Sequence, residues 1–504
     1  LFVTSIASLL AVGFLGTSVS EPPLAHNGNL PAYFVRVGPS PWLVMSLLLV
    51  AVLSGALMLV VAIRAMRRGW TVPVRAFALM GSLGALAMLL CPPFGSADYT
   101  NYSAYGHIQN RGLDAYVVTP IQAAKLGVPT AAAVEKPWKG TQSVYGPASV
   151  RIEQAVAAVA GSSLARSSLL FSLLHCLAFI GTGLILIRMA SASGNGGRAA
   201  VLWLANPLMI DELVAGSHVD AIVVFLIVAG FAVLRRSRFL AGLLVGIGVA
   251  TKVNAVLAGL GMAWADRRNP KKLVALALGG LLAVGGLYLT ISSHSLDQTR
   301  RASKFVSSST PWWPLSTTLR HAIGMGRAPL VISAGVLLLA VFLGKAVIRL
   351  VPERDDEVGR AARSSFVYTV AWLFAAPYLL PWYDSMAWGT APLVEDSPVD
   401  MLLVAHTTLL ALGALPGRVL PFPPVFNGVV VALHSVIAPI GLLVIIVVTL
   451  RRGRARKRSS TVVLPSSSTP TYVETPSLVD SVYRTATGPG RSATPSTAAT
   501  SEST

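Results

Sequence analysis

The chain has 504 residues, 54% of them hydrophobic and only 12% charged, with a formal net charge of +19. A composition this apolar excludes an ordinary soluble domain, and the apolar residues fall in blocks of roughly 18 to 25, the length that crosses about 30 Å of hydrocarbon. The positive charge does not point to nucleic acid, because Lys and Arg cluster in short loops between blocks and in Arg451-Arg-Gly-Arg-Ala-Arg-Lys-Arg458, the positive-inside pattern of membrane proteins.

In chain order, apolar blocks lie near 1–18, 42–64, 74–94, 167–188, 199–213, 219–234, 239–264, 273–292, 328–349, 365–381, 399–416 and 425–450. They predict an all-α polytopic membrane protein with about 12 to 14 crossings. Residues 1–18 lack a basic flank and an obvious cleavage site, so they read as a first span rather than a removed signal peptide. The loops carrying Arg64, Arg67, Arg68 and Arg75, then Arg188 and Arg198, then Arg235, Arg236 and Arg238, are expected on the cytoplasmic side. Residues 95–166, Asp211 to Asp220, Ser292 to Arg327 and the turn around Trp382 then face outward, where four segments could share one site.

Two places break this count. Arg235 to Arg238 and Arg267 to Lys272 both look cytoplasmic, yet a single apolar block separates them. Either a re-entrant pair folding back near Thr251-Lys-Val-Asn254, or one span with an imperfect charge rule, accounts for that. Ser385 to Val394 is the second, since it does or does not cross. The sequence thus divides into a membrane domain, 1–458, and a Ser/Thr/Pro-rich tail, 459–504, expected to be disordered because it lacks the apolar surface that offsets ordering entropy. The basic run before the tail is suited to anionic lipid headgroups or to a stop-transfer anchor. Cys91 and Cys176 lie in apolar segments and read as packing residues.

Chemistry concentrates where the block 74–94 ends. Asp98, Tyr102, Tyr105 and Gln109 are spaced by four, three and four, one face of a helix that would lie along the interface. Three tyrosines there are consistent with an aromatic belt, but a belt needs no carboxylate, and a carboxylate at the membrane edge is placed to act on a lipid-linked substrate. Lys136-Pro-Trp138 and Ser143-Val-Tyr-Gly-Pro147 form rigid loops, as a cleft wall or ordinary loop punctuation would. His218 and Asp220 open a span from the outward side, either lining a sugar site or capping the helix, with Asp211 and Glu212 nearby as alternatives. Lys252 is a lone cation in an apolar block, and Trp382 with Tyr383 ends a span, suited to stacking a sugar or isoprene face or to anchoring.

The strings Asp98-Tyr-Thr-Asn-Tyr-Ser-Ala-Tyr-Gly106, Arg111-Gly-Leu-Asp-Ala-Tyr116, Ser143-Val-Tyr-Gly-Pro147, Leu204-Ala-Asn-Pro-Leu208, Gly216-Ser-His-Val-Asp220, Ala250-Thr-Lys252 and Leu380-Pro-Trp-Tyr383 run in order along most of the chain. In these the sequence resembles the polyprenol-phosphate-mannose-dependent mannosyltransferases of actinobacteria, GT-C membrane enzymes that include the α-(1→6)-mannosyltransferases of lipomannan assembly. Asp384-Ser-Met departs from the pattern, where apolar residues entering a span are expected.

The resemblance implies a GT-C bundle with a long extracytoplasmic first catalytic loop. It also implies inverting transfer of mannose from a polyprenyl-phosphate carrier to a hydroxyl of a lipid-anchored cell-envelope glycan, outside the cytoplasmic membrane. Asp98 would be the general base, without a cofactor, and nothing in the sequence demands a metal. Lys252, Arg300, Arg301 and Lys304 are the cations available for the donor phosphate, although Lys252 is equally suited to pairing with a carboxylate and the arginines to plain solvation. Tyr99, Tyr102, Tyr105, Arg111, Tyr145, His218, Asp220, Trp382 and Tyr383 would contact the substrates. A transporter or flippase of a lipid-linked saccharide also fits many spans with charges at their edges, but predicts internal repeats and paired interrupted helices. Only one candidate interruption, near Lys252, is legible. A membrane scaffold would leave the aspartate and tyrosine cluster without a purpose.

Overall fold

The computed structural model describes residues 1–461, so the expected disordered segment lies, apart from its first three residues, outside the described residues. Every regular element among the described residues is helical. Helices α1 (Phe2–Phe14), α2 (Pro41–Arg67) and α3 (Val74–Ala87) precede three short ones, α4 (Asp98–Asn110), α5 (Pro120–Lys125) and α6 (Pro147–Ala160), which occupy the long connection 95–166. After α7 (Leu164–Ser191), two short helices run into π-helical turns: α8 (Gly196–Ala199) into Ala200–Leu204, and α9 (Pro207–Met209) into Ile210–Ala215. Then come α10 (Asp220–Val233), α11 (Arg238–Thr251), α12 (Val256–Ala265), α13 (Pro270–Ile291) and α14 (Ser295–Ala302). The last third holds α15 (Trp312–Leu350), kinked at Gly324, α16 (Glu357–Ala375), α17 (Ser385–Thr390), α18 (Pro398–Ala414), α19 (Pro424–Ala432) and α20 (Ala438–Thr461).

Local chemistry sets many of these starts. Ser40 accepts a hydrogen bond from the Leu43 N–H with Pro41 in the first turn of α2, and Thr119 with Gln122 and Ser397 with Asp400 form capping boxes at α5 and α18. Among the described residues five helices are long and apolar enough to cross a bilayer, those at Pro41–Arg67, Leu164–Ser191, Pro270–Ile291, Trp312–Leu350 and Pro424–Lys457. A sixth exists if the pair Pro207–Ala215 and Asp220–Val233, bent by 117°, is one broken span. Leu281 and Leu289 on α13, Leu337 and Leu338 on α15 and Val444 on α20 are exposed, apolar surface of a kind that lipid covers. The protein is therefore a helical polytopic membrane protein. Full-length crossing helices are fewer than the apolar blocks because other blocks fold as helices of 10–17 residues, among them Phe2–Phe14, Arg238–Thr251 and Val399–Ala414.

The basic loops meet at one end of the bundle. Arg67 and Arg198 both pair with Asp396, and Arg198 also pairs with the buried Asp400 at 2.8 Å. Arg354 reaches Glu395 and Asp356, while Arg238 pairs with Asp266 at 2.6 Å and with Glu357 at 3.0 Å. Glu357 also contacts Lys272. These pairs settle the geometry of the block 239–264. Arg238 begins α11 and Asp266 follows the end of α12, so the two ends of the block touch. The chain turns back between them, through extended backbone at Lys252 (φ −150°, ψ 122°). The segment is a helical hairpin with Lys252 at its tip. Its first arm lies against α13 at backbone contact, for a Cβ on Gly242 would stand 2.0 Å from the Leu276 carbonyl oxygen.

Ser385 to Val394 runs from Asp384, beside His406 in the middle of α18, to Glu395 and Asp396 within the ion-paired end.

Candidate active site

At the opposite end, short elements rather than long spans position the polar side chains. Helix α4 starts at Asp98, whose backbone N–H donates to Ser96 Oγ at 3.0 Å. Tyr99 through Ile108 are all buried. This corrects the aromatic-belt reading of the tyrosines: α6, α7 and the loop after α5 cover the helix, and the tyrosines are interior groups. Tyr102 OH accepts from the Val219 N–H at 3.4 Å, and Tyr105 OH donates to the Thr141 carbonyl at 2.9 Å.

The Asp98 carboxylate is 14% exposed. Its Oδ2 accepts from Tyr145 OH at 3.2 Å and lies 3.9 Å from His218 Nε2, and its Oδ1 faces Asn101 Nδ2 at 3.5 Å. Burial pushes its pKa up to about 6 from 3.8, against the opposing pull of the Lys252 cation and the Tyr145 hydroxyl. Asp98 lies outside the five candidate spans.

His218 sits in the break of the bent helix pair, after Ser217, which adopts a left-handed φ of 53°, a costly conformation for a residue with a Cβ. The ring is held on two sides. Its Nδ1 contacts the Glu212 carbonyl oxygen, and its face stacks on Trp382 with centroids 3.6 Å apart and 17° between planes. His218 also lines a small cavity with Phe94, Gly95, Glu212, Leu415 and Gly417.

Asp220 begins α10 and accepts from Lys252 Nζ through both oxygens, at 2.8 and 2.7 Å. The same ammonium stands 4.0 Å from the Tyr383 ring centroid. Two interrupted segments, α9–α10 and α11–α12, thus meet through one ion pair. The loop bearing Tyr145 is fitted to the hairpin tip: Gly146 N–H donates to the Thr251 carbonyl at 3.0 Å, and a Cβ at Gly146 would stand 2.1 Å from the Ala250 carbonyl oxygen. Gly146→Ala is expected to force this loop away from the hairpin tip, moving Tyr145 from Asp98 and lowering the unfolding temperature, which a thermal melt measures.

Asp98, Tyr102, Tyr145, His218, Asp220, Lys252, Trp382 and Tyr383 therefore converge from segments far apart in sequence. Other candidates lie elsewhere. Tyr99 OH is buried with no hydrogen-bond partner among the described residues and points away from the cluster, toward Glu21, Glu135 and Arg418. Tyr105 OH is committed to the Thr141 carbonyl. Arg111 is exposed and donates to the Gly127 carbonyl at 3.2 Å. Arg300, Arg301 and Lys304 are exposed on and after α14 and share no ion pair with the cluster. The long connection is tied to the 292–310 segment by Ser292 Oγ donating to Asp114 at 2.6 Å and Gln298 to Gln142 at 3.0 Å, and that segment is tied to the 377–383 turn by the Ser307 N–H donating to the Pro377 carbonyl at 2.9 Å.

Asp384, which broke the expected apolar pattern, is fully buried and accepts from His406 Nδ1 at 2.8 Å and Thr407 Oγ1 at 2.7 Å. Its histidine partner on α18 carried no sequence signal, being one polar residue in an apolar block. Among the described residues no group of three His, Cys, Asp or Glu side chains is placed to hold a metal ion.

A family description, "Alpha-(1->6)-mannopyranosyltransferase, N-terminal domain", matches residues 4–267. Similar proteins include "Alpha-(1->6)-mannopyranosyltransferase B" of Corynebacterium glutamicum, 24% identical over 68% of this chain and 62% of the relative. "Alpha-(1->6)-mannopyranosyltransferase A" of Mycobacterium tuberculosis is 28% identical over 61% of this chain and 63% of its own length. A "Probable alpha-(1->6)-mannopyranosyltransferase" of Mycolicibacterium smegmatis is 30% identical over 46% of this chain and 41% of its own. The chain thus spans less than two thirds of the length of these curated relatives. No solved structure matches it.

Proposed function

This chain belongs to the alpha-(1->6)-mannopyranosyltransferase family, and from that premise we propose that it is an inverting, GT-C type mannosyltransferase using polyprenyl-phosphate mannose. The acceptor is a hydroxyl of a cell-envelope mannan or related glycolipid, reached on the outer face of the cytoplasmic membrane. In a single displacement the acceptor oxygen attacks the anomeric carbon, Asp98 takes its proton, and the bond to the carrier oxygen breaks with its electron pair leaving on the phosphate. The observation that carries this proposal is a carboxylate set at 3.2 Å from a tyrosine hydroxyl and 3.9 Å from a buried histidine nitrogen that has no hydrogen-bond partner among the described residues.

Lys252 supplies positive charge for the leaving phosphate. Asp220 holds two of its three ammonium protons, which fixes the cation's position before the donor arrives. The test gives purified protein a labelled polyprenyl-phosphate mannose and a short α-mannoside: product from the native chain and none from Asp98→Asn supports the assignment, equal turnover by both removes Asp98 from the mechanism, and no product from either refutes the donor.

The pH dependence follows from the carboxyl's raised pKa. A base is active when ionised, so kcat/KM is expected to be flat above about pH 6 and to fall about tenfold per unit below it, rather than holding to pH 4. Tyr145→Phe removes a donor to the ionised form and should move that acid limb to higher pH. A pH–rate profile of both proteins measures this.

A transporter of a lipid-linked saccharide draws on one observation, the meeting of two interrupted segments at Asp220 and Lys252. It predicts movement of labelled lipid between leaflets without a new glycosidic bond, and the transfer assay separates the two.

A further inference from the structure

We infer that His218 Nε2 and Asp98 Oδ2 form a paired acceptor clamp that reads two neighbouring hydroxyls of the acceptor sugar, the one that reacts and the one beside it. This rests on the mannosyl-transfer function proposed above. A backbone carbonyl only accepts hydrogen bonds, so the contact of His218 Nδ1 with the Glu212 oxygen places the ring proton on Nδ1. Nε2 of the neutral ring is then a lone-pair acceptor. It is buried, has no hydrogen-bond partner among the described residues, and lies 3.9 Å from the Asp98 oxygen.

Two acceptors at that distance do not satisfy each other, and an unmet buried acceptor is costly. A ligand presenting two hydroxyl donors side by side satisfies both. In a mannoside reacting at the 6-hydroxyl, the 4-hydroxyl stands on the same edge of the ring. Asp98 removes the proton from the first hydroxyl as the glycosidic bond forms, and His218 accepts a hydrogen bond from the second without taking its proton. Trp382, stacked on the imidazole, and the left-handed turn at Ser217 hold the ring in that direction. His218 thereby contributes acceptor specificity rather than proton transfer.

The experiment compares a short lipid-linked α-mannoside with the same compound lacking the 4-hydroxyl, both with labelled polyprenyl-phosphate mannose. For the native chain the deoxy acceptor is expected to have roughly 10-fold to 100-fold lower kcat/KM. In His218→Phe, which keeps a ring on Trp382 and loses the nitrogen, the two acceptors should fall within about threefold of each other. His218→Gln, which retains an acceptor oxygen, should recover part of the preference, a pattern that a purely structural histidine would not give. Equal turnover of both acceptors by the native chain overturns the clamp and leaves mannosyl transfer standing. A preference that persists undiminished in His218→Phe overturns it equally. No transfer to either acceptor by the native chain overturns the transferase function and the clamp with it.

Discussion

Asp98→Asn is expected to lower kcat by roughly 10²–10⁴-fold, the usual contribution of a positioned general base. The amide is nearly isosteric with the carboxyl and can still meet Tyr145 OH, 3.2 Å from Oδ2, so the fold should survive. The unfolding temperature in detergent is therefore expected to stay close to that of the native protein while turnover collapses. A second signature distinguishes lost chemistry from lost binding. If Asp98 acts on the acceptor proton, KM for the mannoside changes little and the fall lies in kcat. The acid limb near pH 6 should also vanish from what activity remains.

Lys252→Met is expected to be the most destabilising single change at the site. Asp220 is fully buried, and both its oxygens bond the ammonium, so removing the cation strands a carboxylate in the interior at a cost of about 3–5 kcal/mol. The double variant Lys252→Met with Asp220→Asn removes both charges at nearly unchanged volume and is expected to regain most of that stability, since removing both members of a buried pair leaves no stranded charge. Activity should not return with it. Recovery of the melting temperature without recovery of transfer assigns the lysine a role on the leaving phosphate, whereas recovery of both would make the ion pair purely structural. The comparison needs only unfolding curves and the transfer assay on three proteins.

The constellation was legible because the site is built from short strings at the ends of apolar blocks. Asp98, His218, Asp220, Lys252 and Trp382 each stood out as a polar or aromatic group where an apolar run stopped or was interrupted, Tyr145 as part of a Pro- and Gly-punctuated loop, and chain alternation put all of them but Lys252 on one side. What the strings could not convey was which partner each would find. Lys252 was open to a phosphate or a carboxylate, and the bidentate contact with Asp220 supplies the carboxylate without excluding a third ligand on the remaining N–H. The tyrosines of α4 fit an aromatic belt by composition alone. Their burial depends on α6 and the loop after α5 folding over them, contacts of long sequence separation that no local period encodes. Asp384 looked like a misfit for the same reason, its partner His406 lying twenty-two positions away on another helix. The number of crossings was the least legible feature, since an apolar block fixes the solvent of a segment but not whether it goes through or turns back.

The turned-back segment at Lys252 has a mechanical consequence. Its two rods, of 14 and 10 residues, are about 21 and 15 Å long at 1.5 Å per residue, and both are bolted down at the remote, charge-rich face. Bilayer thickness therefore does not dictate how far the ammonium protrudes; rod length does, in steps of one residue. Adding a single residue to the first rod would raise the cation by about 1.5 Å and swing it through about 100°, so the far face gauges the reach of the reacting one.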